Sequence, residues 1–216
     1  MTLSFDLFWS FRSPYSYLAT PRLVEMERDY ELAIHIRPVY PLAVRQGDFF
    51  EKQNPLWIPY LLRDTMRLAE QLGLPYRWPR PDPVKIDLAT RAAVQDQPYI
   101  HRLTRLGCAA AEAGRGLPFL SQVSALIWSG KTDDWHEGMH LAEASARAGL
   151  DLARLHAKIA ADPDKYEAII QENQKAQQAA GHWGVPTCAF EGEPFFGQDR
   201  LDALLWRLKQ RGLKAR

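Results

Sequence analysis

Strand-forming patterns occur only at the two ends of this chain, and everything between them reads as helix or loop. Residues 4–10 (SFDLFWS) form a buried apolar run, and 31–39 (ELAIHIRPV) alternate apolar with polar residues until Pro38 stops them. A helix over 14–29 joins the two. Ser13 is its N-cap, Pro14 takes the first helical position, and Pro21 inside it is expected to kink it. This is a β-α-β unit, for which a right-handed crossover is expected. Strand signals return only in 185–197 (VPTCAFEGEPFFG), two short strands around a Glu191-Gly192 turn. A last helix follows over 200–211, capped by Asp199, with Leu201, Leu204, Leu205 and Leu208 on one face.

The stretch from 41 to 180 opens with a Pro- and aromatic-rich passage. It continues as helical patterns over 60–72, 98–114, 117–129, 136–148, 151–160 and 163–180, mostly separated by Gly or Pro. The segment PYRWPRPDP (75–83) cannot be regular structure and reads as a surface loop. The order β-α-β, helical block, β-β-α requires a sheet assembled from both ends of the chain. The expected fold is α/β and thioredoxin-like, with a large all-helical insertion between its two halves. Residues 1–40 and 181–216 form the sheet domain and 41–180 the insertion.

Composition narrows the function. The 216 residues suit one domain carrying an insertion, and 46% hydrophobic content supplies a core. A net charge of +1 argues against a nucleic-acid partner and against an electrostatic membrane surface. No run of apolar residues approaches a membrane span, and the opening residues lack a secretory signal. The two cysteines, Cys108 and Cys188, lie far apart and form no C-x-x-C motif; both read as buried small hydrophobes. A cytoplasmic protein with reduced thiols is expected.

The chemistry centres on Ser13-Pro14-Tyr15-Ser16. A helix N-terminus presents unpaired amides and partial positive charge, which favours an anion. Ser13 carries no sulfur, so dithiol exchange at this turn is excluded. Its hydroxyl remains a donor toward an anion brought from outside. No His or Asp accompanies it within the motif as a general base, so hydrogen bonding to the anion is favoured over attack by the serine. The plain alternative is a serine that only caps its helix. Phe196-Gly197-Gln198-Asp199 leads into a second helix N-terminus, a ready carboxylate site.

Two segments, FRSPYSYLATPRL and GVPTCAFEGEPFFGQDRLDALLWRL, together resemble the 2-hydroxychromene-2-carboxylate isomerase family. That family is related to kappa-class glutathione transferases and DsbA-type oxidoreductases. The resemblance covers both ends closely and the helical block more loosely. It implies that the anion is the thiolate of glutathione and that Ser13 matches the catalytic serine facing its sulfur. It implies a cis Pro186, with Val185 presenting backbone groups to the tripeptide in the manner of an added strand. Phe196, Gly197, Gln198 and Asp199 match further glutathione contacts, the γ-glutamyl end suiting that second helix N-terminus.

By the same resemblance Arg45 and Asn54 hold the aromatic acid substrate, and a homodimer is expected; no metal is expected. The family's N-x-P-P…P-x-K run is shortened here and lacks its lysine, for which Arg63 is a candidate substitute. Trp9, Phe11, Tyr15 and Trp57 are candidates for the pocket lining, with core packing the stronger role for Trp9. Transfer of glutathione to an electrophile, and binding without catalysis, are the alternative functions. His136-Glu137-Gly138-Met139-His140 matches the spacing of a zinc-binding helix. Gly138 weakens the helix that motif needs, and no further ligand completes the pattern.

Overall fold

The structure, a computed structural model, describes residues 2–47, 49, 52–87, 90 and 92–216. Its sheet has four strands in the order β2-β1-β3-β4: β1 is Leu3–Trp9, β2 Leu32–Pro38, β3 Thr187–Phe190 and β4 Glu193–Phe196. The parallel pairing of β1 with β2 runs in register from Leu3 opposite Leu32 to Trp9 opposite Pro38. The antiparallel pairing of β1 with β3 sets Phe8 opposite Thr187 and Asp6 opposite Ala189. The carboxyl-terminal hairpin therefore docks on the first strand of the chain. Its turn holds Glu191 at φ 50° and Gly192 at φ 79°, both in the left-handed region that a tight two-residue hairpin demands.

Helix α1 spans Pro14–Asp29 and runs unbroken through Pro21. The Trp9 indole donates to the Ser16 carbonyl (3.2 Å) and to Thr20 Oγ1 (3.3 Å), fastening the helix to the strand that precedes it. The helices between the sheet halves are α2 (Leu42–Arg45), α3 (Trp57–Gln71), α4 (Pro98–Glu112), α5 (Gly116–Trp128), α6 (His140–Arg147), α7 (Leu152–Ala161) and α8 (Pro163–Ala179). Helix α9 (Leu201–Gln210) closes the chain with Leu201, Leu204 and Leu208 buried, as the leucine spacing predicts. Sheet residues such as Phe5, Leu7 and Trp9 share one continuous core with Phe119, Trp128 and Tyr166 of the helical block. No helix among the described residues is long and apolar enough to cross a membrane.

Three expectations require correction. Residues 136–139 are not helical: α6 begins at His140, and Gly138 adopts φ 53°. His136 and His140 therefore do not share a helix face, and His136 packs instead against Tyr99 and Trp135. Asp199 does not cap α9. Gly197, at φ 100°, starts a single 3₁₀ turn over Gln198–Arg200 that absorbs the aspartate, and α9 has no side-chain cap. Phe11 is fully buried and belongs to the core rather than to the pocket lining; Trp9, in edge-to-face contact with it at 4.7 Å, is fully buried as well, in the core role favoured for it.

Candidate active site

The turn after β1 places Ser13 at the start of α1 with extended backbone (φ −92°, ψ 116°), as an N-cap requires. Its Oγ accepts from the Ser16 amide at 3.2 Å and donates to the Val185 carbonyl at 3.2 Å. One hydroxyl thus joins the first helix to the segment entering β3, 172 residues away. The Val185–Pro186 peptide bond is cis. The Val185 amide makes no hydrogen bond among the described residues.

The segment before β3 is held from the helical block. Gln177 of α8, fully buried, donates from Nε2 to the Gly184 carbonyl at 2.6 Å, and Thr187 Oγ1 donates to the same oxygen at 2.7 Å. Arg45 at the end of α2 donates to Gln177 Oε1 (3.2 Å) and to the Trp183 carbonyl (2.7 Å). Burial among these neutral partners lowers the Arg45 pKa to about 10. A Cβ at Gly184 would lie 2.5 Å from the Phe196 ring, so a side chain there would force that ring to shift. The Phe196 ring stacks on His182 at 4.0 Å, and His182 stacks on Trp183 at 4.5 Å.

Above Ser13 opens a cleft of about 520 Å³, within the usual range for sites that take a small organic ligand. The sheet half contributes Arg12, Ser13, Tyr15, Val185 and the Phe196–Asp199 segment; the helical half contributes Phe49 and, from α3, Trp57, Tyr60, Leu61, Asp64 and Leu68. Tyr15 donates to Asp64 Oδ2 at 2.8 Å and so bridges α1 to α3. Burial first, and this bond to a carboxylate second, raise the Tyr15 pKa, which keeps the phenol protonated. Burial acts to raise the Asp64 pKa too, but bonds from Arg67 and Tyr15 prevail and hold it low.

Of the residues singled out from sequence, Ser13, Val185, Phe196, Gly197, Gln198, Asp199, Tyr15 and Trp57 all meet in this cleft. Pro186 follows Val185 through a cis bond and is not among the lining. Arg45, Asn54 and Arg63 are not among its lining. Asn54 is exposed, its Oδ1 accepting from the Leu56 amide, and Arg63 points from the exposed side of α3. Ser16 is fully buried, with no partner for its hydroxyl among the described residues. Cys108 and Cys188 are buried away from the cleft; burial pushes the Cys108 thiol up to about 12 and raises that of Cys188 as well. The cleft therefore holds the N-terminus of α1 and no cysteine of its own.

A DSBA-like thioredoxin domain matches residues 5–209. The chain belongs to this family. Among solved structures, 2-hydroxychromene-2-carboxylate isomerase superposes with a TM-score of 0.72 at 20% identity, over 96% of this chain and 95% of that one. A probable DsbA oxidoreductase from Streptomyces coelicolor gives 0.66 at 18% identity, over 96% and 89%. The cytosolic disulfide reductase DsbM from Pseudomonas aeruginosa with GSH gives 0.58 at 18% identity, over 96% and 100%. No curated protein matches the chain. The DSBA-like domain is thus present with serines at both ends of the tetrapeptide after β1.

Proposed function

We propose that this protein is a glutathione-dependent isomerase of an aromatic acid resembling 2-hydroxychromene-2-carboxylate. The observation that carries the reading is the Ser13 hydroxyl, poised between the α1 amides and the Val185 carbonyl at the floor of an aromatic cleft. The residues fit glutathione. The Val185 amide and carbonyl form the donor–acceptor pair that an extended peptide engages, and the cleft supplies no competing sulfur.

When bound, glutathione would supply a thiolate nucleophile suited to reversible addition to the conjugated alkene of the substrate, turning that double bond into one free to rotate. Ser13 turns its proton from the neutral Val185 oxygen to the anionic sulfur, because a hydrogen bond to an ion is the stronger one. The Val185 carbonyl is then released to accept the peptide N–H of the ligand. The α1 N-terminus adds its partial positive charge to the same point, so both features lower the thiol pKa. Phe196, Gly197, Gln198 and Asp199 hold the γ-glutamyl end. Trp57, Tyr60 and Phe49 cover the aromatic ring and exclude water. Under this reading the protein works as a cytoplasmic homodimer.

The test is spectrophotometric turnover of 2-hydroxychromene-2-carboxylate with and without glutathione, with mass analysis of the product. Isomerised acid and unconsumed glutathione are expected; a stable conjugate would instead identify a transferase. Ser13→Ala should lower kcat/KM about 10- to 100-fold, the worth of one hydrogen bond to a charged atom. It should also raise the apparent pKa of the bound thiol toward the free value of about 8.5. Unchanged glutathione-dependent turnover in Ser13→Ala would end the assignment.

A further inference from the structure

Tyr15 stands two residues after Ser13 on α1 and lines the same cleft. A phenol oxygen carries one proton and two lone pairs. Here the proton is committed: Tyr15 Oη donates to Asp64 Oδ2 at 2.8 Å. Asp64 fixes the direction of that bond. Its carboxylate also accepts from Arg67 at 2.5 Å and from Tyr60 Oη at 3.4 Å, and these donors hold it ionised. An ionised carboxylate has no proton to give, so the phenol is the donor.

The same bond ties the first turn of α1 to the middle of α3, which gives Tyr15 Oη a fixed place in the wall. No group among the described residues donates to this oxygen. Burial, and then the bond to Asp64, raise the Tyr15 pKa, so the proton is not lost to solvent either. Toward the cleft Tyr15 therefore presents lone pairs and no proton.

We infer that Tyr15 accepts a hydrogen bond from a hydroxyl of the electrophile and thereby selects aromatic acids that carry one. The inference rests on the isomerase reading for the identity of that electrophile. In the ring-closed form of such an acid the aryl oxygen is an ether, an acceptor that Tyr15 repels. Ring opening turns the same oxygen into a phenol, a donor that Tyr15 holds. One helix start then offers two complementary points, Ser13 Oγ as donor toward the sulfur and Tyr15 Oη as acceptor toward the hydroxyl. Asp64 is a positioning residue that acts through Tyr15 by keeping its proton out of the cleft. Because the acceptor is already fixed, binding does not have to order it.

The alternative role for Tyr15 is a strut that joins α1 to α3 and touches no ligand. Titration calorimetry on the full chain separates the two. The inert probes are 3-(2-hydroxyphenyl)propanoate and its methyl ether, 3-(2-methoxyphenyl)propanoate, each with and without glutathione. The wild type should bind the phenol about three- to tenfold more tightly than the ether. In Tyr15→Phe that preference should vanish because the phenol binds more weakly; a preference set by the bulk of the methyl group would survive. In Asp64→Leu, which frees the Tyr15 proton to turn into the cleft, the preference should shrink because the ether binds more tightly.

A wild type that binds neither probe, or both equally, overturns the inference. So does a Tyr15→Phe variant that keeps the preference, or an Asp64→Leu variant whose affinity for the ether is unchanged. Glutathione binding is read in the same titrations. Its absence would remove the isomerase reading while leaving the phenol preference to decide the role of Tyr15.

Discussion

Ser13 and Ser16 are three residues apart in one turn of helix, yet they meet different surroundings. The Ser13 hydroxyl has an amide donor on one side, a carbonyl acceptor on the other, and the cleft above. The Ser16 hydroxyl is enclosed and has no partner among the described residues, so it contributes only a desolvation cost. Ser16→Ala should therefore leave glutathione-dependent turnover intact and raise stability by about 1 kcal/mol, a Tm gain of roughly 2–4 °C for a chain of this size. Scanning calorimetry beside the turnover assay reads both. A loss of turnover matching that of Ser13→Ala would mean that the second hydroxyl also serves the ligand. The pair looked alike as sequence because burial is decided by tertiary packing around the turn, which residue type and spacing do not record.

At the scale of elements, the segment Trp183–Pro186 has no regular structure of its own and takes its shape from α2, α8 and the first residue of β3. Two successive carbonyls, those of Trp183 and Gly184, are fixed by Arg45, Gln177 and Thr187. This aims the Val185 peptide groups at the cleft. Arg45→Met removes the donors to both the Trp183 carbonyl and Gln177 Oε1. It should raise KM for glutathione about tenfold or more, with a smaller effect on kcat, and Arg45→Lys should recover part of the loss. If KM for the aromatic acid rises and that for glutathione does not, Arg45 contacts the substrate, as its place in the sequence first suggested.

Helix α3 shows how local pattern reached the site without completing it. Its periodicity was legible from Tyr60 onward, but the proline at 59 hid a start at Trp57. With that first turn included, Trp57, Leu61, Asp64 and Leu68 fall on one face, and a carboxylate within an apolar stripe becomes a visible signal. The bond from Tyr15 to Asp64 left no comparable trace, because its partners lie 49 positions apart.

For the whole molecule, the strands at the two chain ends dictate the sheet, which is why the fold was readable from their spacing. The position of the helical block against that sheet was not, since it is set by long-range packing and ion pairs. One such junction lies where α4 ends and α7 and α8 meet. Glu112 accepts from Lys158 at 2.8 Å, from Lys165, and from Tyr166 at 2.8 Å. Those hydrogen bonds lower its pKa from 4.5 to about 2. The same helix α8 carries Gln177 near its other end, so this anchor also steadies the clamp on the Val185 segment. A carboxylate whose pKa is depressed by folding stabilises the native state above its unfolded pKa, and that contribution fades as pH falls toward the folded value. Glu112 should accordingly support the fold fully above pH 4.5 and lose its effect by about pH 2. Because the groups are partly open to water, the contribution is on the order of 1 kcal/mol at most. Glu112→Gln should lower Tm by a few degrees at neutral pH, and the gap to the wild type should close progressively below pH 4.5. A gap that stays constant down to pH 2 would show that the glutamate acts through packing, and that the three helices are held together without its charge.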